Sequence, residues 1–516
     1  MQMCHSFLRT LTLWPSASPE AIARRRHTIH PIVSSVLAMD EKTMNRATFC
    51  RLVLSPAIVA ISFAPMLAAD AQIKVRHTIV AASGAEAPAG GNYLPLFVNA
   101  RWNTRHEVAF DAFVSGPPIT TGVFIGNGRT ASSIVLGTSP DAAAPSFGFV
   151  ANPFITETGD VVFQANSSDI FVSDARTIVP LVRAGDRAPG GGTLTPSAPF
   201  AANDHGMVVY AASISGSTAT RGIFRVSGTQ TVPIVRDDSE VPTRGRFSFL
   251  GDPVIADRGQ VAFFAEMIGG LTDFAIFRGE GGDLMPVFAA NRIAPGGETF
   301  EDFGSPVINR HGQVATVATL SGASRRGLFI SDGTDAVAVA LQGQPAPKGG
   351  TYGEADPFRG AIRLNDRGEV AFVARLTGGT SSSGIFRGNG AHTATIALAG
   401  MTAPGTTGTF ESFDDIKLGI DGRVAFIATL EVGLGGVDSS NNRGIWIGTS
   451  DEDLHMVVRT SEVIGGSVLT GLPSFNQGNR FDMNQNGVLW VGGFGPATAI
   501  VVTRDVGGNE AIDDRF

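Results

Sequence analysis

Cysteine is almost absent from this 516-residue sequence, which contains only two. Both of them, Cys4 and Cys50, lie within the first 50 residues. The rest of the chain therefore excludes a disulfide framework, a thiol nucleophile and a thiolate metal site. Tyrosine and tryptophan are also scarce, with 3 and 4 residues against 34 phenylalanines. Phenylalanine is therefore expected to be the main aromatic residue of the core.

Charge is scarce as well, because Asp, Glu, Lys and Arg make up only 17% of the chain. Residues 72–516 carry 32 basic and 43 acidic side chains, a net charge of −11. A surface of this sign repels phosphate backbones, so nucleic acid is not expected as a partner. The sequence also lacks the phosphate-binding loop, the H-E-x-x-H zinc motif and the G-x-S-x-G nucleophile turn. Enzymes of those classes are not indicated.

Long apolar runs are rare, and the one near the N-terminus has a specific setting. Arg46 and Arg51 precede an apolar run over residues 52–69, and the small-residue motif Ala-Asp-Ala ends at Ala71. This order is typical of a secretory signal peptide. A transmembrane anchor is the alternative, but two prolines interrupt the run. We therefore expect residues 44–71 to be a cleaved signal and the protein to be exported, either to the periplasm or outside the cell.

The predicted signal divides the chain into four segments. We interpret residues 1–43 as an over-extended N-terminus, residues 72–503 as a repeat domain and residues 504–516 as a polar C-terminal tail. No second apolar run is long enough to cross a bilayer, so the mature chain is expected to have no integral membrane segment.

A short motif recurs through the repeat domain at intervals of 47 to 65 residues. In its clearest copy, "NDRGEVAF" from Asn365, an Asn precedes a Gly, which is typical of a tight turn because Gly accepts positive φ. The apolar run that follows is typical of a strand covered on both faces. A fixed period of this length predicts a solenoid or a propeller. The eight copies begin at Asn103, Thr156, Asn203, Ala256, Asn309, Asn365, Gly419 and Asn484.

Each period contains further short apolar runs bounded by Gly, Pro, Asn or Asp, such as "GIFRGNG" from Gly384. About four strands per period, without helical periodicity, predict an all-β fold. We expect a closed β-propeller of about eight four-stranded blades. Seven blades and an open β-repeat array are the alternatives. Residues 75–91 look like the end of a unit, so residues 75–82 are expected to close the ring by pairing near 498–503.

The pattern Asn-x-x-Gly-x-x-Ala-Phe is matched in full by Asn365, Gly368, Ala371 and Phe372. It resembles the bacterial exported tandem-repeat proteins of the NxxGxxAF-containing (choice-of-anchor) family over roughly residues 73–503. The resemblance implies export, but it implies no activity and no site residues. Other copies depart from the pattern, with Thr156 and Ala256 in the Asn slot, His106 in the Gly slot and Thr316 in the Phe slot.

Recurring charged residues supply candidate contacts for a ligand. Arg221, Arg326 and Arg443 share the slot before the "GIF"-type strand, and Asp186 lies in a Pro/Gly turn expected on the same face. Two interpretations are open: a rim that binds a ligand or an anion, or solvated loop residues that support the turns.

Two further patterns contain residue types that bind metal ions in other proteins. Asp482, Asn484 and Asn486 alternate like the start of a calcium loop, but the twelfth position is Gly493 and not Glu. We therefore expect a hairpin turn and no cofactor, with structural calcium as the alternative. His205 and His311 share one slot in two turns and are expected to lie on the surface.

Two classes of function follow from these observations. The first is an exported, non-catalytic, monomeric repeat protein that binds a ligand, a polymer or a protein through its loop face. The second is an extracellular propeller enzyme, a hydrolase or lyase acting on carbohydrate or lactone substrates. The first class is favoured because no clustered catalytic motif is present.

Overall fold

The computed structural model describes residues 74–505, apart from 117, 139–146, 323–324, 354–355, 359 and 475–478. The predicted signal peptide, the segment 1–43 and residues 506–516 of the tail lie outside the described residues. The described part is built of β-strands joined by turns. Within it, no helix is long and apolar enough to cross a membrane.

Eight antiparallel sheets of four principal strands are present in these ranges, numbered here as blades 1 to 8. The first strand of the chain, β1 (Val75–Ala82), belongs to blade 8. Blade 1 contains β2 (Tyr93–Trp102), β3 (Val108–Val114), β4 (Thr120–Gly126) and β5 (Ala131–Leu136). Blade 2 contains β6 (Val150–Ile155), β7 (Val161–Ala165), β8 (Asp169–Ser173) and β9 (Ile178–Val182). Blade 3 contains β10 (Thr193–Pro196), β11 (Ala201–Ala202), β12 (Val208–Ser215), β13 (Arg221–Ser227) and β14 (Gln230–Arg236). Blade 4 contains β15 (Arg246–Leu250), β16 (Val254–Ile255), β17 (Val261–Ile268), β18 (Phe274–Gly279) and β19 (Met285–Ala289).

The second half of the described chain repeats the arrangement. Blade 5 contains β20 (Phe300–Phe303), β21 (Val307–Ile308), β22 (Val314–Leu320), β23 (Arg326–Ser331) and β24 (Ala336–Leu341). Blade 6 contains β25 (Thr351–Tyr352), β26 (Arg363–Leu364), β27 (Val370–Thr377), β28 (Ser383–Gly388) and β29 (Thr393–Leu398). Blade 7 contains β30 (Phe410–Leu418), β31 (Val424–Leu430), β32 (Arg443–Gly448) and β33 (His455–Arg459). A small ribbon of β34 (Val463–Ile464) and β35 (Ser467–Val468) follows. Blade 8 contains β36 (Phe481–Asn484), β37 (Gly487–Phe494), β38 (Ala497–Asp505) and β1.

The first strands of the blades surround a common axis. The first strand of blade 4 contacts those of blades 3 and 5, and the contacts continue through blades 6, 7 and 8 to β2 of blade 1 and then β6 of blade 2. This arrangement is a β-propeller. The turns between first and second strands define one end of the molecule, called here the motif face. The turns that lead from one blade to the next define the opposite end, the connection face.

The ring is closed by pairing between the two ends of the described chain. β1 lies antiparallel to β38, with Val75 opposite Asp505 and Ala82 opposite Ala499. The predicted closure is therefore confirmed, as is the closed eight-bladed propeller, and neither seven blades nor an open array describes the fold. The last strand runs two residues beyond the predicted domain boundary at 503.

The Asn of the repeat motif links each blade that has it to the next blade. Asn365 accepts the backbone N–H groups of Arg367 and Glu369 at its Oδ1, both at 3.0 Å, which holds its own turn. Its Nδ2 donates to the carbonyl oxygen of Gly419, the equivalent position in blade 7, at 3.2 Å. The side chain is buried, so these bonds compensate for its lost hydration. The same link runs from Asn103 to Thr156, Asn203 to Ala256, Asn309 to Asn365 and Asn484 to Asn103.

The Phe of the motif pairs with an aromatic residue of the third strand. Phe372 lies opposite Phe386, with ring centroids 5.7 Å apart. A Cβ on Gly384 would lie 3.0 Å from the Phe386 ring and 2.6 Å from the Leu398 side chain, so Gly is required at this close approach. Blade 5 has Thr316 in the Phe slot, and its Oγ1 lies 3.0 Å from the carbonyl oxygen of Gly304 as donor. The same aromatic pairing occurs at Phe110–Phe124, Phe163–Phe171, Tyr210–Phe224, Phe263–Phe277 and Phe426–Trp446.

Each second strand is covered on both faces, as its unbroken apolar sequence predicts. Val370, Phe372 and Ala374 pack into the core shared by blades 5 and 6. Ala371 packs into the core shared by blades 6 and 7. Alternate side chains of one strand thus bury apolar surface against two different neighbours, which holds adjacent blades together.

Replacing Gly368 with Val should lower the free energy of unfolding by about 1–3 kcal/mol. The φ of Gly368 is +72°, where a β-branched residue is strained, and a Cβ would lie 3.1 Å from Gln313 Oε1. Chemical denaturation measures the effect. An unchanged midpoint would show that this turn does not require glycine.

His106 provides the matched comparison for that prediction. It fills the same slot in blade 1 with a φ of +68°, a conformation that costs a non-glycine residue about 1–2 kcal/mol. We expect His106→Gly to stabilise the protein by about 0.5–1 kcal/mol, the opposite sign from Gly368→Val.

Candidate functional site

The four residues predicted for a ligand face all lie at the connection face, but on separate blades. Arg221, Arg326 and Arg443 begin the third strands of blades 3, 5 and 7. Asp186 lies in the turn that leads from blade 2 to blade 3. The structure therefore places them around one rim and does not gather them into a single site.

Two of these arginines contact the first segment of the following blade. The guanidinium carbon of Arg221 lies 5.2 Å from the ring centroid of Phe249 in blade 4. Arg326 Nε lies 3.3 Å from Asp356 Oδ1, at the start of blade 6. Both side chains thus connect neighbouring blades, and the Arg326–Asp356 pair also lines a cavity described below.

Arg443 and Asp186 are engaged in local structure. Arg443 Nη2 donates to the carbonyl oxygen of Pro473 at 2.8 Å and to Asp414 Oδ2 at 2.6 Å. Asp186 Oδ2 accepts the backbone N–H of Arg183 at 2.7 Å and holds its own turn. Among the four predicted residues, Arg326 is therefore the best placed to meet a ligand.

The three residues of the calcium-like pattern join blade 8 to blade 1. Asp482 Oδ1 lies 3.6 Å from Arg101 Nη1, while Asn484 and Asn486 donate to backbone carbonyls of blade 1. In the ranges that the structure describes, no group of three or more His, Cys, Asp or Glu residues is arranged to hold a metal ion. His205 and His311 are exposed in the turns of blades 3 and 5.

A cavity of about 600 Å³ lies between the first strands of blades 5 and 6. Arg326, Asp356 and Phe358 form one part of its wall, and Pro306 forms another. Arg363 lies at its inner end, on β26. The first strands of a propeller surround a central channel, called here the axial channel. Because the cavity lies between first strands, it leads from the connection face towards this channel.

Five charged side chains from four consecutive blades converge at the channel and are called here the axial cluster. They are Arg101, Arg363, Asp415, Lys417 and Asp482. Asp415 is shared by two cations, with Oδ1 at 3.1 Å from Arg363 Nη2 and Oδ2 at 3.1 Å from Lys417 Nζ. Arg101 pairs with Asp482 across the junction of blades 1 and 8. The cluster holds three cations and two carboxylates.

The axial cluster has a positional origin that our reading of the sequence missed. Four of its members stand two residues before the first residue of a repeat motif, in blades 1, 6, 7 and 8. In blades 2 to 5 this position is apolar. Four of the eight equivalent positions, which form a ring around the axis, are therefore charged. An alignment of the repeats extended two residues upstream would have shown the contrast. The uncharged members of the ring are Phe154, Ala201, Val254 and Val307.

Lys417 shows how closely these charges approach one another. Its side chain is only 13% exposed, and Nζ lies 5.8 Å from the ring centroid of Phe481. Burial and the nearby positive charges of Arg363 and Arg101 lower the pKa of Lys417 to about 8, although Asp415 and Asp482 act in the opposite direction. Lys417 in blade 7 therefore interacts electrostatically with charged residues of blades 6, 8 and 1 in a space that water reaches poorly.

The mouth of the channel on the motif face is acidic. Glu157, Asp204 and Asp257 each follow the first residue of the motif, in blades 2, 3 and 4. Asp204 is exposed to solvent. Partial desolvation, together with the charges of Asp257 and Glu157, raises the pKa of Asp204 to about 6. In blades 5 and 6 the same slot holds Arg310 and Asp366, which pair with each other, so this slot is net negative and the axial cluster is net positive.

The fold and this channel define an eight-bladed β-propeller with a charged axial site. The chain belongs to a family of unknown function (DUF7453), whose sequence profile matches residues 165–500, more than half of the chain. No curated protein matches the chain in sequence.

Several solved structures resemble the fold at low identity. A puromycin-hydrolysing peptidase from Mycobacterium tuberculosis is 12% identical, with a TM-score of 0.39 over 73% of this chain and 55% of that one. An acylaminoacyl peptidase from Pyrococcus horikoshii is 10% identical, with a TM-score of 0.35 over 70% and 52%. The polysaccharide lyase Uly1 is 9% identical, with a TM-score of 0.36 over 73% and 98%. This chain spans about half the length of the two peptidases, and similarity at this level carries no argument for function.

Proposed function

We propose that the protein is an exported, non-catalytic propeller that binds a ligand in its axial channel through the connection face. The observation that carries the proposal is the cavity of about 600 Å³ with Arg363 of the axial cluster at its inner end. Sites for small molecules are usually concave, of about 300–1,000 Å³, and combine apolar walls with a few fixed polar groups. Phe358 and Pro306 supply apolar wall, and Arg326 and Arg363 supply polar groups.

The polar groups of the site are held in place before a ligand arrives. Arg326 is paired with Asp356, and Arg363 with Asp415. Such pairs restrict side-chain freedom in the free protein, which reduces the entropy lost on binding. This arrangement favours a binding site over a set of mobile surface arginines.

A blocking variant tests where ligands bind. The purified protein is screened by thermal shift against neutral and acidic oligosaccharides, peptides and organic acids, and the affinities of the hits are measured by calorimetry. Ser305 lines the cavity and is exposed, so Ser305→Trp should fill it and weaken binding at least tenfold. Ser382→Trp, at another exposed serine of the connection face, should bind as the unaltered protein does. Equal affinities for all three proteins would exclude the channel as the site.

Export is the second part of the proposal, and it is supported by the Arg-flanked apolar segment and by the Asn-x-x-Gly-x-x-Ala-Phe resemblance. Protein isolated from the native host should begin near Gln72, after cleavage at Ala71. N-terminal sequencing gives the answer. A chain that still begins at Met1 would contradict both the signal peptide and the interpretation of residues 1–43.

The acidic mouth supports a second candidate, an enzyme that hydrolyses or cleaves carbohydrate by elimination. A carboxyl group with a pKa near 6 suits general acid–base catalysis near neutral pH, and Asp204 has Asp257 and Glu157 beside it. Product release from a panel of polysaccharides should then fall at least 100-fold in Asp204→Asn. Absence of turnover by the unaltered protein on the whole panel would count against this candidate.

A further inference from the structure

We infer that the ligand of the axial channel carries an oxyanion group, such as a carboxylate or a phosphate, and that Arg363 binds it. The inference rests on the proposed binding function and adds the chemical class of the ligand. It assigns Arg363 as the residue at which the cavity meets the axial cluster.

The balance of charge within the cluster is the first argument. Three cations are served by two carboxylates, and one of these, Asp415, divides its oxygens between Arg363 and Lys417. Lys417 is 13% exposed and Arg363 is 29% exposed, so water hydrates these cations only in part. A positive excess in a poorly hydrated space is unfavourable, and an anion that entered it would restore neutrality.

The shape of the channel gives the direction of approach. Glu157, Asp204 and Asp257 repel an anion at the motif face. At the connection face an anion first meets Arg326 on the cavity wall and then Arg363 at the inner end. The guanidinium group is a planar donor that suits carboxylate and phosphate oxygens. The same field disfavours a cationic ligand at the cluster.

Lys417 provides a readout that is independent of any activity. Only three lysines follow residue 71, namely Lys74, Lys348 and Lys417. Lys348 is paired with Asp451 at the surface, whereas Lys417 lies in the cluster. Acetylation by an amine-reactive ester at pH 8, followed by mass spectrometry, therefore reports occupancy of the channel at one residue, with two lysines as internal references.

The probes are inorganic phosphate, citrate, trigalacturonate and the neutral methyl ester of trigalacturonate. At least one of the three anions should slow acetylation of Lys417 at least fivefold without protecting Lys74 or Lys348. The neutral ester should not protect. The identity of the protecting anion shows whether the site takes phosphate, a small carboxylate or a carboxylate carried on a sugar chain.

Variants assign the effect to Arg363. Arg363→Gln should abolish the protection of Lys417, and Arg363→Lys should restore it in part. Arg367→Gln removes an exposed arginine of the motif face in the same blade and should leave protection unchanged. Melting temperatures of all variants are measured so that loss of protection is compared only among folded proteins.

The outcomes separate this inference from the function on which it rests. Equal protection of Lys417 by the anions and the neutral ester, or protection that survives Arg363→Gln, would overturn the oxyanion inference. The proposed binding function would still stand in either case if Ser305→Trp weakened ligand binding. A lack of protection by every anion at millimolar concentration would also overturn it. Binding that is insensitive to Ser305→Trp would instead contradict the proposed function.

Discussion

Deletion of residues 72–91 should open the ring and leave a protein that aggregates or unfolds without a cooperative transition. β1 supplies the outer strand of blade 8, and its loss exposes the edge of β38 over residues 497–505. Unpaired edges recruit strands from other chains. Ile79 and Val80 also leave the cores that blade 8 shares with its two neighbours.

The control for this deletion is removal of residues 506–516, which follow the last strand. Size-exclusion chromatography and thermal melts compare both shortened proteins with the full chain. The control should remain monodisperse with an unchanged melting temperature. If the deletion of 72–91 behaved in the same way, closure by β1 would not contribute to stability, and the blades would be acting as an open array whose units contact only their neighbours.

Acid should weaken the same junction through one histidine. His77 lies on β1, with Nδ1 2.8 Å from Thr503 Oγ1 and its ring centroid 6.2 Å from that of Trp490. Burial lowers the pKa of His77 from 6.5 to about 4. Below pH 6.5 the unfolded chain therefore binds a proton that the folded chain does not. The stabilisation that comes from neutral His77 is present in full above pH 6.5. The free energy of unfolding falls by up to about 3 kcal/mol as the pH drops from 6.5 to about 4.

The contribution of His77 is isolated by comparing how the stability of the unaltered protein and that of His77→Gln depend on pH. Asp204 has a raised pKa, so its protonation favours the folded state as the pH falls through about 6, which opposes the effect of His77. Denaturation midpoints at pH 7.5, 6.0 and 5.0 are therefore compared between the unaltered protein and His77→Gln, with exposed His392→Gln as control. His77→Gln should lose less stability on acidification, whereas His392→Gln should follow the unaltered protein. Parallel profiles for all three would show that His77 does not titrate as described.

The architecture could be predicted because its signals are local and repeated. The turn made by Asn365 and Gly368, and the two-sided burial of Val370 to Ala374, are encoded by a few consecutive residues, and this pattern recurs with substitutions in eight copies. Blade 8 is the exception in detail. Its turn is one residue shorter, with Asn484 opposite Gly487, so Trp490 takes the slot that Phe372 has in blade 6.

The axial cluster carries a weaker signal, because four of its members share a slot of the repeat but not a residue type or a sign of charge. Arg101 and Asp482 are almost 400 residues apart in sequence and meet only because the ring closes. Arg363 is the one charge of β26, whereas Lys417 shares β30 with Glu411, Asp414 and Asp415, so the charges of the first strands follow no common pattern. The arginines of the connection face show another limit of prediction from the sequence. Strand order was enough to predict that Arg221 and Arg326 lie on one face, but their contacts with the following blade depend on how neighbouring blades pack.

Pairing of Val75 with Asp505 has a practical consequence for attaching other molecules to the propeller. Both residues lie side by side at the motif face, because β1 begins there and β38 ends there. A fluorescent domain, a purification handle or a surface tether joined at either residue would start from the same corner, at the outer edge of blade 8. The cavity near Arg326 is reached from the opposite end of the molecule. Cargo joined at Val75 or Asp505 would therefore leave the ligand route clear, and a short linker between these two residues would permit circular permutation at any turn between blades.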